Sequence, residues 1–213
     1  MDGELDWLAL SLAPGIGGKT FHLLLRCFGS PDRVFTSRRK ELEKIPGLKS
    51  SIIEAIKSSA LRKTAEREMI RLHTLGIQII QWGTEKYPNY LANISDPPPI
   101  IYMKGTMLPE DGRAVAVVGS RQASTYGLTV CKKICQELAW KGWTVVSGMA
   151  RGIDSAAHRG ALEGGGRTLA VWGTGLDVVY PTENLALSQE IASSGAILSE
   201  FPWLRRSTQG KFT

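Results

Sequence analysis

From residue 113 onward, short apolar runs alternate with helical stretches, and this rhythm constrains the fold more than any other feature of the chain. The runs are "AVAVVG" (114–119), "WTVVSG" (143–148), "TLAVWG" (168–173) and "AILSEF" (196–201). The first, an unbroken apolar run, reads as a strand buried on both faces. A helix is expected from about Thr125 to Lys141, with Leu128, Cys131, Ile134, Cys135 and Leu138 on one face. Lys132, Lys133, Gln136 and Glu137 form its polar face. The alanine-rich "GIDSAAHRGAL" and then "ENLALSQEIASSG" supply two more helices. Strands joined through helices by short loops require right-handed crossovers and a parallel sheet. The expected fold class is α/β, a Rossmann-like, mostly parallel sheet over residues 113–213.

Residues 1–75 have a different period. Leu5, Leu8 and Leu12 fall at helical spacing, "PGIGGKT" interrupts them, and Phe21, Leu24, Leu25 and Phe28 resume the pattern. Further on, "LEKIPGLKSSIIEAIKSS" repeats the order helix, glycine hairpin, helix. The expectation is a small all-α domain resembling helix-hairpin-helix and sterile-alpha-motif-like modules. Glycines beside a helix N-terminus let backbone N–H groups face a phosphate. Gly15, Gly17 and Lys19 are therefore secondary phosphate-contact candidates, while the same hairpin equally reads as a plain connection between packed helices. Residues 76–112 read as a connecting segment with short strands at "IQIIQWG" and "IIYMKG", and three consecutive prolines at 97–99 keep its backbone extended.

In a parallel α/β sheet, ligands bind outside the carboxyl ends of the strands. Those ends here are "GSRQAS" (119–124), "SGMARG" (147–152), "WGTGLD" (172–177) and "SEFP" (199–202). The first does not match G-x-G-x-x-G, and no G-x-x-x-x-G-K-[ST] loop occurs in the chain. It offers instead a tight turn at Gly119, the Ser120 hydroxyl, and the planar Arg121 fork suited to phosphate oxygens. Taken alone, it fits a capped helix start with a solvated arginine equally well. The second loop contributes Gly148, Arg151 and Gly152, and the third Gly173. Asp154 sits near a helix start, where it can cap or complement the dipole, and His158 follows at the spacing for an i,i+4 pair. A Ser147/Asp154/His158 triad is discounted, because one helix turn orients the pair poorly toward a strand-end serine and nucleophile-elbow glycines are absent. Ala156, Ala157, Gly160 and Ala161 allow close helix–sheet packing. No catalytic residue is assigned.

Charge matters to this reading. The chain carries 26 Lys and Arg against 20 Asp and Glu, for a formal +6. The excess is spread along the chain, so an anionic partner must meet a folded surface. Cys27, Cys131 and Cys135 lack metal spacing, the three histidines are dispersed, and no cofactor or metal is expected. The acidic start and the lack of an apolar run near 18 residues point away from a signal peptide and a membrane span, toward a cytoplasmic protein.

Together "YPNYLANISDPPPIIYMKG", "VAVVGSRQASTYG", "VVSGMARGIDSAAHRGAL", "LAVWGTGLDVVYPTENLAL" and "GAILSEFP" resemble the DNA-processing protein A family, also called Smf. The likeness covers about residues 85–202, and the helical region resembles that family's leading domain. It implies a non-enzymatic single-stranded-DNA-binding recombination mediator that loads the RecA recombinase during natural transformation and forms a homodimer. The expected nucleic-acid-binding residues of this chain are Gly119, Ser120, Arg121, Gly148, Arg151, Gly152 and Gly173, with Tyr126 either stacking a base or equally serving as a packed aromatic. The alternative is a phosphoribohydrolase-like enzyme on the same fold, although its P-G-G-x-G-T loop and glutamate are missing. Members usually continue past "SEFP" through an arginine-rich segment, further strands and often a winged helix. Here "WLRRSTQGKFT" ends the chain, so the expectation is a truncated sheet with an exposed outer surface, or an inactive fragment.

Overall fold

The computed structural model describes residues 2–202, and its chain divides into two compact units, Met1–Ile101 and Tyr102–Thr213. The final "WLRRSTQGKFT", where the chain ends short of the family's usual continuation, lies outside the described residues.

The first unit is mostly helical. Its helices are α1 (Asp2–Leu12), α2 (Gly18–Phe28), α3 (Pro31–Thr36), α4 (Arg39–Leu42), α5 (Ser50–Lys57) and α6 (Ser59–Thr74). Strand β1 (Ile77–Gln81) and the short α7 (Asn89–Ala92) follow. The helical periodicity becomes a single core in which Leu10, Phe21, Leu24, Val34, Leu42, Ile52, Ile53 and Ile56 are all buried. The triple proline lies outside every helix and strand, and each of its carbonyls accepts a bond. His22 Nε2 meets the Pro97 oxygen at 2.8 Å, Tyr87 donates to Pro98 at 2.8 Å, and the Trp82 N–H donates to Pro99 at 2.9 Å.

The second unit is a Rossmann-like α/β layer. It comprises β2 (Ile100–Gly105), which begins just before the division, then β3 (Ala114–Ala116), α8 (Thr125–Trp140) and β4 (Thr144–Ser147). These are followed by α9 (Ile153–Glu163), β5 (Thr168–Trp172), α10 (Leu185–Ser194) and β6 (Ala196–Ser199). Its strands lie in the order β2-β6-β5-β4-β3. β3, β4, β5 and β6 are mutually parallel, whereas β2 runs antiparallel to β6. Each crossover advances one strand in the same direction, so the right-handed rule places the linking helices on one face. Val115, Val145 and Thr168 are aligned there by the register, and Val145 packs with Cys131, Cys135, Ala139, Ala156, Ala157 and Ala161.

Three local expectations change. The 114–119 run was read as buried on both faces, but β3 is the outermost strand of the sheet. Ala114 and Ala116 are exposed and Val118 is 80% exposed, because no further described strand or helix covers that side. Ile134, expected on the core face of its helix, is 52% exposed. It lies about 60° around α8 from Cys131, on the side away from Cys135 and Ala139. The small residues of α9 pack on the sheet as expected through Ala156, Ala157 and Ala161 against Val145, and the change is that Gly160 serves a helix contact. A Cβ on Gly160 would collide with the Lys132 carbonyl, and one on Gly164 would stand 3.2 Å from the Ala139 side chain. α8 and α9 therefore approach backbone to backbone.

At the amino end of the sheet, Arg167 grips Asp111 with both arms at 2.8 and 2.9 Å, and the Thr144 hydroxyl donates to the same carboxylate at 2.8 Å. The same guanidinium donates to the Ser194 and Thr106 carbonyls. That staple fixes three strand starts and leaves the opposite, carboxyl end for the loops. No helix among the described residues is long and apolar enough to cross a membrane.

Candidate nucleic-acid interface

Because β3 to β6 are parallel, their carboxyl ends share one edge, and the loops after β3 and β4 meet there. Gly152 makes the meeting possible. Its φ of 77° and ψ of −126° suit glycine, and a Cβ would strike the Ser120 carbonyl and the Arg121 backbone. The Ile153 N–H donates to the Ser120 oxygen at 3.2 Å, tying the two loops directly. Gly119 faces Ile153 equally closely, since a Cβ there would stand 2.7 Å from Cγ1. The "GSR" and "MARG" segments thus form one continuous surface.

Each expected contact has a definite place on or near that surface. Gly119, Ser120 and Arg121 are exposed, and Arg121 forms no ion pair among the described residues. The Ser120 Oγ accepts the Gln122 N–H at 3.1 Å, which leaves its hydroxyl proton available. Ser124 caps α8 by accepting from the Gly127 N–H at 3.2 Å. Tyr126 projects from the first turn of that helix, 79% exposed. Gly148 is exposed, with the Asp154 carboxylate behind it, and Gly173 is half-buried at the end of β5. Arg151 is engaged. Its Nε and one terminal nitrogen both donate to Glu183 at 2.9 Å, and this bidentate bond holds the Glu183 carboxyl below the usual carboxylate range.

Asp154 and His158 do not pair. The Asp154 Oδ2 accepts the Ala150 N–H at 3.3 Å, closing the loop over its own helix start. His158 is fully buried and bonds through Nδ1 to the Thr168 Oγ1 at 2.7 Å. Thr168 donates its own proton to the Val145 carbonyl, so its oxygen accepts from His158 Nδ1–H. Burial pushes the His158 pKa down to about 4. Ser147 donates to the Val117 carbonyl at 2.7 Å. Ser147, Asp154 and His158 thus bond to three different partners, and none of the three forms a nucleophile–base pair with another.

Four residues at this edge had no assignment from the sequence. Asn184, only 2% exposed, donates to the Met149 carbonyl at 3.0 Å and to the Ser155 Oγ at 2.8 Å. It supports Met149 at a φ of 57°, a left-handed conformation uncommon for a side-chain-bearing residue. Glu183 beside it holds Arg151, and Tyr180, 66% exposed, precedes them. Arg159, the fourth, lies one turn after Ser155 on α9. The signal was weak because "YPTEN" reads locally as a turn into a helix, and 35 residues separate Asn184 from Met149.

The hairpin of the first unit is arranged differently. Gly15, with a φ of 86°, packs against Ile52, and Gly17 is the extended N-cap of α2. A Cβ on the next residue, Gly18, would run into the Asp96 carboxylate. The start of α2 is therefore already faced by an acidic group, and Lys19 lies on the rim of the adjoining cleft.

A model of the family described as DNA recombination-mediator protein A matches residues 78–213. This chain belongs to that family. Among its relatives, Protein Smf of Synechocystis is 33% identical over 97% of this chain and 53% of its own length. The Bacillus subtilis DNA processing protein DprA is 35% identical over 74% of this chain and 56% of its own length. The chain thus spans about half the length of these recombination-mediator relatives. The X-ray structure of DprA from Streptococcus pneumoniae superposes with a TM-score of 0.59 at 28% identity, covering 91% of this chain and 71% of that one. DNA processing protein A from Helicobacter pylori, solved for its single-stranded DNA binding mode, gives a TM-score of 0.55 at 32% identity over 63% and 60% of the two chains.

Proposed function

We propose that this recombination-mediator family member binds single-stranded DNA, without catalysing a reaction, along the carboxyl edge of its parallel sheet. The observation that carries the reading is the junction of the first two loops, where Gly152 lets the backbones touch and Arg121 remains free of any carboxylate among the described residues. Backbone phosphates lie against Gly119, Ser120, Arg121, Gly148, Arg151, Gly152 and Gly173. The exposed rings of Tyr126 and Tyr180 offer stacking surfaces for bases, each worth about 1–3 kcal/mol where a base stacks. Sequence recognition is not expected, because the contacts address phosphate and π-faces common to every strand.

Membership of the family supports the wider role. The single strand is presented to the RecA recombinase during natural transformation, in the cytoplasm, by a homodimer of the longer protein. Fluorescence anisotropy with single-stranded and duplex oligonucleotides over a salt series tests the binding step. The expected result is preference for the single strand, with Arg121→Ala weakening all sequences alike and reducing the salt slope by about 0.7. An unchanged slope removes Arg121 from the site. Release of free base from nucleoside monophosphates would replace this reading with the phosphoribohydrolase-like one.

A further inference from the structure

A groove of about 490 Å³ opens from the second loop and runs between α8 and α9. Arg151, Gly152, Lys132 and Arg159 are among its lining residues. The close approach of the two helices at Gly160 places α8 and α9 side by side and brings the Lys132 cation onto α9, where it pairs with Glu163. Glu183 is the only carboxylate in the lining against three cations. It is bound to Arg151, while Glu163 outside the lining holds Lys132 at 2.7 Å. These pairs are exchangeable, since their side chains are 43–57% exposed and water screens them. Arg159 is exposed and pairs with no described carboxylate.

The two pairs mark where acidic groups settle, and Arg159 between them has none. Arg151 belongs both to the loop surface and to the groove, so the two are contiguous. The groove volume lies within the range that accepts a nucleotide-sized group. We propose that the groove is a second phosphodiester subsite of the same nucleic-acid path, an inference that rests on the proposed single-strand binding. A strand held at Arg121 passes over Arg151 and places a following phosphate between Arg159 and Lys132, with Glu183 and Glu163 giving up part of their hold. Arg159 is the contact specific to this subsite, because Arg151 also serves the loops and Lys132 already has a partner.

The experiment uses the full chain and a series of deoxythymidine oligonucleotides from two to about sixteen nucleotides, in anisotropy titrations over a salt series. Arg159→Ala is expected to leave the shortest oligonucleotides unaffected and to weaken longer ones several-fold, with the salt slope for the longer ones falling by about 0.7. Arg159→Lys is expected to restore the slope, and Arg159→Glu to weaken long oligonucleotides further. Thermal melts of each variant should match the parent, since Arg159 is exposed and bonded to no described residue. Equal slopes for parent and Arg159→Ala at every length overturn the subsite. If Arg121→Ala still lowers binding in that case, the sheet-edge reading stands and only the groove is lost. No binding of any oligonucleotide by the parent overturns both.

Discussion

Two glycine turns in this molecule look alike as sequence and differ as structure. "PGIGGKT" and "GSR…MARG" both set glycines and a cation before a helix start, the local recipe for an anion site. In the first unit the recipe is filled from within. Gly15 packs on Ile52, and the Asp96 carboxylate stands over the first residue of α2. In the second unit two such loops lie against each other, and the cation at their junction has no described acidic partner. The difference lies in what a distant segment contributes. Residues near 96 bring a carboxylate to one turn, whereas residues 183–184 support the other with an ion pair and a buried amide.

The hardest way to break the contrast is at the contact between the loops. Gly152→Val adds a side chain where φ is 77° and the Ser120 carbonyl is in the way. It is expected to cost about 4 kcal/mol by urea denaturation and to abolish single-strand binding. Gly17→Ala, in open space at the extended N-cap, should cost under about 1 kcal/mol. Equal losses would mean that the loop contact is incidental.

Acid should act on the second unit through His158. Burial lowers its folded pKa to about 4 from an ordinary 6.5, so the unfolded chain takes the proton first as pH falls. Stability present at pH 7 is lost progressively between pH 6.5 and 4, by about 3 kcal/mol in all. Denaturation curves at pH 7 and 4.5, with His158→Phe as the variant lacking this titration, measure the part due to the imidazole. A parent and variant with the same pH dependence would remove it.

Asn184→Ala should cost about 2 kcal/mol, because it leaves a buried carbonyl at Met149 without its donor. Hydrogen exchange should then speed up in residues 148–152 ahead of the rest of the sheet. The smallest effect is the sharpest discriminator between the two turns. Arg121→Ala should weaken single-strand binding about tenfold, the value of one charge-assisted contact, whereas Lys19→Ala should leave both affinity and salt slope unchanged. A loss with Lys19→Ala would return the first hairpin to the binding surface.

Much of the architecture was readable in the order of residues, because hydrophobic periodicity is a local property. Parallel strands and linking helices followed from the alternation after residue 113, and the buried Cys131 and Cys135 from their spacing on α8. The gathering of these loops at one edge followed as well, since parallel strands carry their carboxyl ends to one side. Other features depended on which segments meet. "AVAVVG" is apolar enough for a central strand, yet neighbours decide burial, and β3 has only one among the described residues. Asp154 and His158 have the spacing of a pair, yet the direction of α9 sends one to its own loop and the other to Thr168. Arg121 and Arg151 are alike in sequence, and Glu183, 32 residues away from Arg151, is what distinguishes them. Residue chemistry and spacing thus marked the turns that set glycines and a cation before a helix start. Tertiary contact alone chose which turn stays open, because an acidic group brought from far along the chain occupies a cation or a helix start as readily as a phosphate does.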